Sequence, residues 1–258
     1  MKIKKSYFAI FLVINFTAAN ASSTQPMFIT ISQDLDKIIF DGKWSYQTEW
    51  KQTSLYSLNY DDGMSIQVRL GHQNNFVYVF VDDVSNTHFV KGSDRTLLCI
   101  NTKNDKENLP SPNNYCFVAT LNGKDNLVLE GGSPIGFANN YKKITEPEGL
   151  VEIGSLSDEN DRYNKNLHPS YEFRIPTELI GRSDKYGLYL GVYHSQPNKV
   201  YSWPQEIHSS LFDIPSPKMW GEMISPDKTL PEFPAPSLLL LPSLFIIIFF
   251  TKFKKLNQ

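Results

Sequence analysis

The stretch Met64 to Asp83, MSIQVRLGHQNNFVYVFVDD, constrains the fold more than any other part of the chain. Ile66, Val68 and Leu70 alternate with Gln67 and Arg69, the period of a strand with one wet and one buried face. Phe76 to Val81 is apolar at every position, so the second strand is buried on both faces or carries an aromatic surface on one. The intervening Gly71-His72-Gln73-Asn74-Asn75 is polar and too short for a crossover. These features predict a hairpin at the centre of one sheet.

Other segments repeat the pattern. Strands are expected at 28–32, 37–40, 55–60, 96–101, 115–121, 126–130, 150–156, 170–175, 186–194 and 200–203, separated by turn residues such as Asp61-Asp62-Gly63 and Asn122-Gly123. Asp41 is placed to cap one short helix, Lys43 to Lys51, in which Trp44 and Gln47 share a face with Trp50 close by. Its two indoles suggest a lid over the end of the fold. Residues 131–149 read as a loose Gly/Asn/Pro stretch, and Asp158 to Asn166 as a charged loop. With 17 Phe and 13 Tyr and no long helical runs, the expected fold is all-β, a two-sheet antiparallel sandwich over residues 27–224.

The two ends read differently. Lys2, Lys4 and Lys5 precede an apolar run from Tyr7 to Phe16 and an A-x-A site at Ala19-Asn20-Ala21. That order predicts a secretory signal peptide over residues 1–21, the alternative being an uncleaved anchor. At the other end a Pro-rich run, Ile214 to Pro236, overlaps the end of the domain, with 225–236 as the linker. An apolar transmembrane helix over 237–251 and a basic tail over 252–258 follow. From Phe233 to Phe250 a helix would be about 27 Å long, enough to cross a bilayer. Lys252, Lys254 and Lys255 would stay cytoplasmic. The expected location is therefore the cell surface, secreted through the membrane and anchored there.

Removing the six terminal lysines leaves 19 basic against 27 acidic residues, a net charge of −8. An acidic body argues against nucleic acid as a partner. Cys99 and Cys116 are the only cysteines. They fall in neighbouring predicted strands, and outside the cell they are expected to form a disulfide worth roughly 3 kcal/mol.

Several motifs together resemble a known family. Asp41-Gly42-Lys43-Trp44 followed by Trp50, the strand Phe76 to Asp83, Tyr171-Glu172-Phe173-Arg174-Ile175-Pro176 and Tyr201-Ser202-Trp203-Pro204 are similar, in order and spacing, to family 9 carbohydrate-binding modules. Those modules belong with DOMON-like sandwiches. The resemblance implies a jelly-roll-type sandwich that binds a polysaccharide or cell-surface glycan. It implies Trp203, with Tyr201 beside it, as the sugar platform, since the apolar face of a pyranose stacks on an aromatic ring. The tail resembles PEF-CTERM segments of archaeal surface proteins, with Pro231, Glu232 and Phe233 as the sorting motif. That implies an archaeosortase-like transpeptidase as a partner. A plain membrane anchor is the simpler reading.

Calcium is the one cofactor for which the residues suggest a place, at Asp82, Asp83 and Asp94, against the alternative of solvated strand ends. The loop at Asp158 departs from a calcium loop because Arg162 occupies a ligand position. No catalytic residues are expected: the five histidines are scattered and neither H-E-x-x-H nor G-x-S-x-G is present. At most the chain would be an accessory to a glycoside hydrolase. Two rival readings remain. One is a haem b domain drawing on Met64, His72, Met219 or Met223. The other is a structural or adhesive surface protein with no small ligand.

Overall fold

A computed structural model describes residues 25–123, 126–134, 140–205 and 213–226. In chain order the strands are β1 (Met27–Phe28), β2 (Thr30–Ile31), β3 (Ser54–Asn59), β4 (Ser65–Gln73), β5 (Phe76–Asp82), β6 (Arg95–Asn101) and β7 (Asn114–Thr120). They continue as β8 (Leu127–Glu130), β9 (Lys142–Ile144), β10 (Val151–Leu156), β11 (Pro169–Pro176), β12 (Lys185–His194), β13 (Lys199–Trp203) and β14 (Gly221–Ile224). An α-helix, α1 (Thr177–Ile180), lies between β11 and β12.

The expected hairpin forms, with Leu70 opposite Val79 and Val68 opposite Val81. It is the centre of a sheet ordered β10-β11-β5-β4-β2, in which β3 also pairs β4. The second sheet runs β1-β14-β12-β6-β7-β8-β9, with β13 on β12. Ile66, Val68, Leu70, Val77, Val79 and Val81 meet Leu98, Ile100, Phe117, Leu188 and Leu190 of the second sheet, and all are buried. Period-2 alternation puts these side chains on one face, and their removal from water drives the stacking of the two layers. The sandwich is not wholly antiparallel. β1 enters parallel to β14, and β2 parallel to β4.

The other face of β5 explains why this strand is apolar throughout. Tyr78 and Phe80 are covered by Leu35, Ile38, Trp44 and Trp50 from the segment before β3. Trp50 stacks on Phe80 with ring centroids 5.3 Å apart. This segment is neither the expected helix over 43–51 nor the expected strand over 37–40. It holds a 3-10 turn at Leu35–Lys37, an extended piece and a series of turns closed by bonds such as Glu49 N–H to the Tyr46 carbonyl. Side chains from the sheet and from the segment itself replace regular pairing. The Glu172 carboxylate accepts from the Gly42 N–H (2.7 Å) and the Trp50 indole N–H (3.1 Å), and Glu49 accepts from the Ile39 and Ser45 N–H groups. Gly42 has φ +82°, and a Cβ there would sit 2.7 Å from Ser155. Only glycine fits both that backbone conformation and that approach. The tryptophans therefore cover the broad face of a sheet, not the end of the sandwich.

The outer face of the second sheet carries the disulfide. Cys99 and Cys116 are directly opposite in β6 and β7, and their bridge packs with Leu129, Tyr141, Tyr189 and Trp220. The Pro-rich run begins later than expected, because β14 lies inside the 214–236 stretch and pairs β12. Met223 points into the core there while Glu222 faces water and bonds Asn104 and Lys185, so burial of one face outweighs the nearby prolines. β9, in the supposedly loose 131–149 stretch, is a second addition. The signal peptide (1–21), the Pro231-Glu232-Phe233 motif, the 237–251 helix and the basic tail lie outside the described residues. Among the described residues no helix is long and apolar enough to cross a membrane.

Candidate functional site

Trp203 does not present a sugar platform. It is 5% exposed and belongs to the inter-sheet core. Its six-membered ring lies against Gly221, where a Cβ would come within 2.3 Å of the indole, so the close approach of β13 and β14 depends on that glycine. Tyr201 is equally buried, packs edge-on against Tyr60 at 5.0 Å, and donates its hydroxyl to Asp62 at 2.7 Å. The remaining tryptophans are also buried: Trp44 and Trp50 under the outer layer, and Trp220 beside the disulfide. No indole of this chain offers a face to solvent.

The three aspartates expected to share calcium do not converge on one site. Asp82 and Asp83 are neighbours at the end of β5 and point to opposite faces. Asp83 accepts from Asn86 (3.0 Å) and meets His194 Nε2 at 2.6 Å. Asp94 accepts from the Val90 N–H and from both the N–H and hydroxyl of Ser195. Those donors engage both carboxylate oxygens of Asp94, which ties the connection after β12 to the start of β6.

Asp82 belongs to a different cluster on the outer side. His168 Nε2 lies 2.6 Å from Asp82 Oδ1 and 3.9 Å from Asp161 Oδ2, and all three side chains are fully buried. Asp82 Oδ2 and Asp161 Oδ2 have no hydrogen-bond partner. Burial pushes the Asp82 carboxyl up to about 7, a rise that the His168 hydrogen bond opposes and the nearby Asp161 charge reinforces. Burial pulls His168 down, but its bond to Asp82 and the charge of that carboxylate outweigh this and raise it. Asp161 and His168 were not singled out in the sequence, although a signal existed. Pairing β11 with β5 sets Ser170 opposite Asp82, which carries His168 just past the carboxylate.

Ser157, His168 and Asp82 resemble a nucleophile–base–acid string, since Ser157 Oγ is 2.9 Å from His168 Nδ1. The hydrogen bonds deny it that chemistry. His168 Nδ1 also faces the Asn166 carbonyl at 2.6 Å, and a carbonyl only accepts, so Nδ1 carries a proton and cannot remove one from Ser157. Ser157 is itself buried and accepts from the His168 backbone N–H. The haem rivals are also dispersed. Met223 is in the core, Met219 is half-exposed, His72 contacts Ser225, and Met64 packs on the edge of the core.

A solvent-open concavity lies at the opposite end of β5. It is a groove of about 600 Å³ lined by Asn75, Phe76, Glu148, Thr177, Glu178 and Arg182, and a smaller one of about 340 Å³ adjoins it along Glu148 and Glu178. The β4–β5 turn and α1 build its walls. The Thr177 N–H bonds the Asn75 carbonyl at 2.7 Å, and the Arg182 guanidinium donates to the Asn75 side chain. Phe76 is half-buried under the Arg174 guanidinium, 4.9 Å from its ring centroid. Arg174 is fixed in turn by its bond to the Gly149 carbonyl. One aromatic ring thus stands among carboxylates, an amide and a guanidinium that reach water, beside the buried Thr177. None of the residues expected to bind sugar is here, and neither groove is lined by any of the four haem rivals.

No protein-family profile matches the chain, and no curated protein matches it. Among solved structures it is similar to a family 9 carbohydrate-binding module from Caldicellulosiruptor kristjanssonii in complex with cellotriose, at 10% identity and a TM-score of 0.43, covering 80% of this chain and 98% of that one. The same kind of module in complex with glucose gives 10% identity and a TM-score of 0.43, with 78% and 95% covered. At these values the likeness carries no argument about what this chain binds.

Proposed function

We propose that this chain is a non-catalytic, surface-displayed module that binds carbohydrate, and that the sugar lies in the groove between the β4–β5 turn and α1. The observation that carries the reading is the groove's composition. It has the volume of a mono- to disaccharide-sized site, an aromatic ring for a C–H face, and Asn75, Thr177, Glu178 and Arg182 spaced for hydroxyls. The motif resemblance at Asp41-Gly42-Lys43-Trp44 and Tyr171 to Pro176 supports the same class. In this reading those motifs build the sandwich, because Trp44, Trp50 and Glu172 are buried and bonded, while the ligand is met elsewhere.

Display outside the cell is supported by the disulfide, which persists in oxidising compartments. It is supported also by the signal-peptide and anchor patterns at the two ends, with cleavage by a sorting transpeptidase at Pro231-Glu232-Phe233 as part of the same proposal. The mass of the chain recovered from the cell surface tests that part: a mature chain retaining residues 1–21 would remove it. Titration calorimetry across a glycan panel tests the binding. The expected result is a ligand whose affinity falls at least tenfold in Arg182→Ala and is unchanged in Tyr193→Phe, a ring outside the groove. Binding that survives Arg182→Ala unaltered would move the site, and a Soret band in the purified protein would replace the class.

A further inference from the structure

We propose that Asp82, Asp161 and His168 form a site for one divalent first-row transition ion, for which Zn²⁺ is the probe. The donors come from two places, the end of β5 and the connection between β10 and β11. Each offers an atom within 4.8 Å of the others. Zinc bonds to imidazole nitrogen and carboxylate oxygen are about 2.0–2.2 Å, so donors about 3–4 Å apart can share one ion. The His168–Asp161 distance of 3.9 Å lies in that range, and the 2.6 Å contact between His168 and Asp82 would open as the ion enters.

Two independent features aim these atoms at a cation. The first is the state of the imidazole. Its Nδ1–H is committed to the Asn166 carbonyl, so Nε2 is the nitrogen left to meet Asp82 Oδ1, through a proton or through a metal. Two lone pairs cannot meet at that distance without a proton or a metal between them. A histidine oriented by a backbone carbonyl through its other nitrogen is the arrangement found in metal sites. The second feature is the pair of bare oxygens. Asp161 Oδ1 accepts from the Tyr163 and Asn164 N–H groups (2.7 and 2.8 Å), which turns Oδ2 inward, where it and Asp82 Oδ2 have no partner. Neither carboxylate has a lysine or arginine ion-pair partner among the described residues. Two carboxylates this deeply buried have one imidazole between them as their polar neighbour, and either a proton or a dication at its Nε2 would balance their charge.

The donor set selects the class of ion. Calcium takes six to eight oxygens, whereas this buried cluster supplies one imidazole and two carboxylates. The ion would fasten the 157–168 loop to β5, and through Tyr163 brace the underside of Trp44. The rival occupant is a proton shared by Asp82 and its neighbours.

Metal content of the full chain, purified from zinc-supplemented cells and dialysed, separates the two. The expected result is about one zinc per chain, a melting temperature that falls on chelation and recovers with Zn²⁺, and at least tenfold weaker zinc binding in Asp161→Asn. The amide keeps the bonds from Tyr163 and Asn164, so this variant is expected to fold. Should it not fold, Co²⁺ loaded into the unaltered chain gives a second readout, since His/carboxylate ligation produces visible d–d bands. Absence of retained zinc together with an unmoved melting temperature would overturn the proposal in favour of the shared proton. So would equal zinc binding by Asp161→Asn, or retention of calcium with exclusion of zinc.

Discussion

The two ends of β5 are built from the same face of one strand and have opposite fates. Phe76, Tyr78, Phe80 and Asp82 all project outward by alternation. At the Asp82 end the turns of the 41–53 segment and the 157–168 loop close over the sheet, and Asp82, Asp161, His168 and Glu172 beneath them are fully buried. At the Phe76 end the cover stops and the surface opens into a groove. Chemistry at the sealed end is directed inward, toward partners within the chain or a desolvated ion. At the open end side chains keep hydrogen-bonding capacity for something outside. The contrast predicts that stability resides at one end and binding at the other.

The largest expected effect comes from opening the sealed end. Trp50 is fully buried, stacks on Phe80 and donates to Glu172. Trp50→Ala should cost about 3–5 kcal/mol in urea denaturation, through a cavity and a buried carboxyl that loses a donor. Trp50→Phe should restore most of the packing but not the bond, and so divide the loss between them. A cost below about 1 kcal/mol for the alanine variant would mean that the outer layer is only draped on the sheet.

Ionisation of buried carboxyls gives a smaller effect, and a sharper one. Glu152 in β10 is buried, and burial, reinforced by Glu146 and only partly opposed by the Val118 backbone N–H, pushes it up to about 9. The folded chain therefore holds a proton that the unfolded chain releases above its ordinary value of 4.5. Unfolding releases that proton throughout the window from 4.5 to about 9, so stability falls as pH rises and levels off once both states are ionised. The slope is at most about 1.4 kcal/mol per pH unit for one proton. Glu152→Gln should flatten it. A slope that persists unchanged in the glutamine variant would assign the linkage to other carboxyls, Glu172 first.

The sequence made the layers readable, but not what lies on them. Strands such as β4, β5, β11 and β12 announce themselves by alternation or by unbroken apolar runs, because burial of one or both faces leaves that signature in consecutive residues. Segment 33–53 leaves no such signature. Trp44 and Trp50 fall near helical spacing, yet each is held by a distant partner, Phe80 or Glu172, more than thirty residues away. The sealed cluster was half legible. Asp82 stood out at a strand end, whereas Asp161 and His168 acquire meaning only through the β5–β11 register. Trp203 misled for a physical reason: a tryptophan beside a proline at a strand end reads the same whether its ring faces water or, as here, Gly221. The groove was invisible because its lining comes from the β4–β5 turn, the stretch before β10, and α1 with the residues just after it.

The smallest expected effect on stability is also the one that bears most directly on the comparison. Arg182 is exposed, and its described bonds are to the Asn74 carbonyl and the Asn75 side chain. Truncation at such a site usually changes stability by less than about 0.5 kcal/mol, since water replaces both bonds. If the open end exists to bind, Arg182→Ala should nevertheless lower glycan affinity at least tenfold, about 1.4 kcal/mol. Phe76→Ala is a poorer test, because that ring also carries Arg174 and packs on Gly149, so binding and folding would fail together. The informative outcome is the ratio of the two losses in Arg182→Ala. A large binding loss with a negligible stability loss separates the ends as the structure divides them. Equal losses would mean that Arg182 braces the β4–β5 turn, and that the open end is only an unfinished part of the same cover.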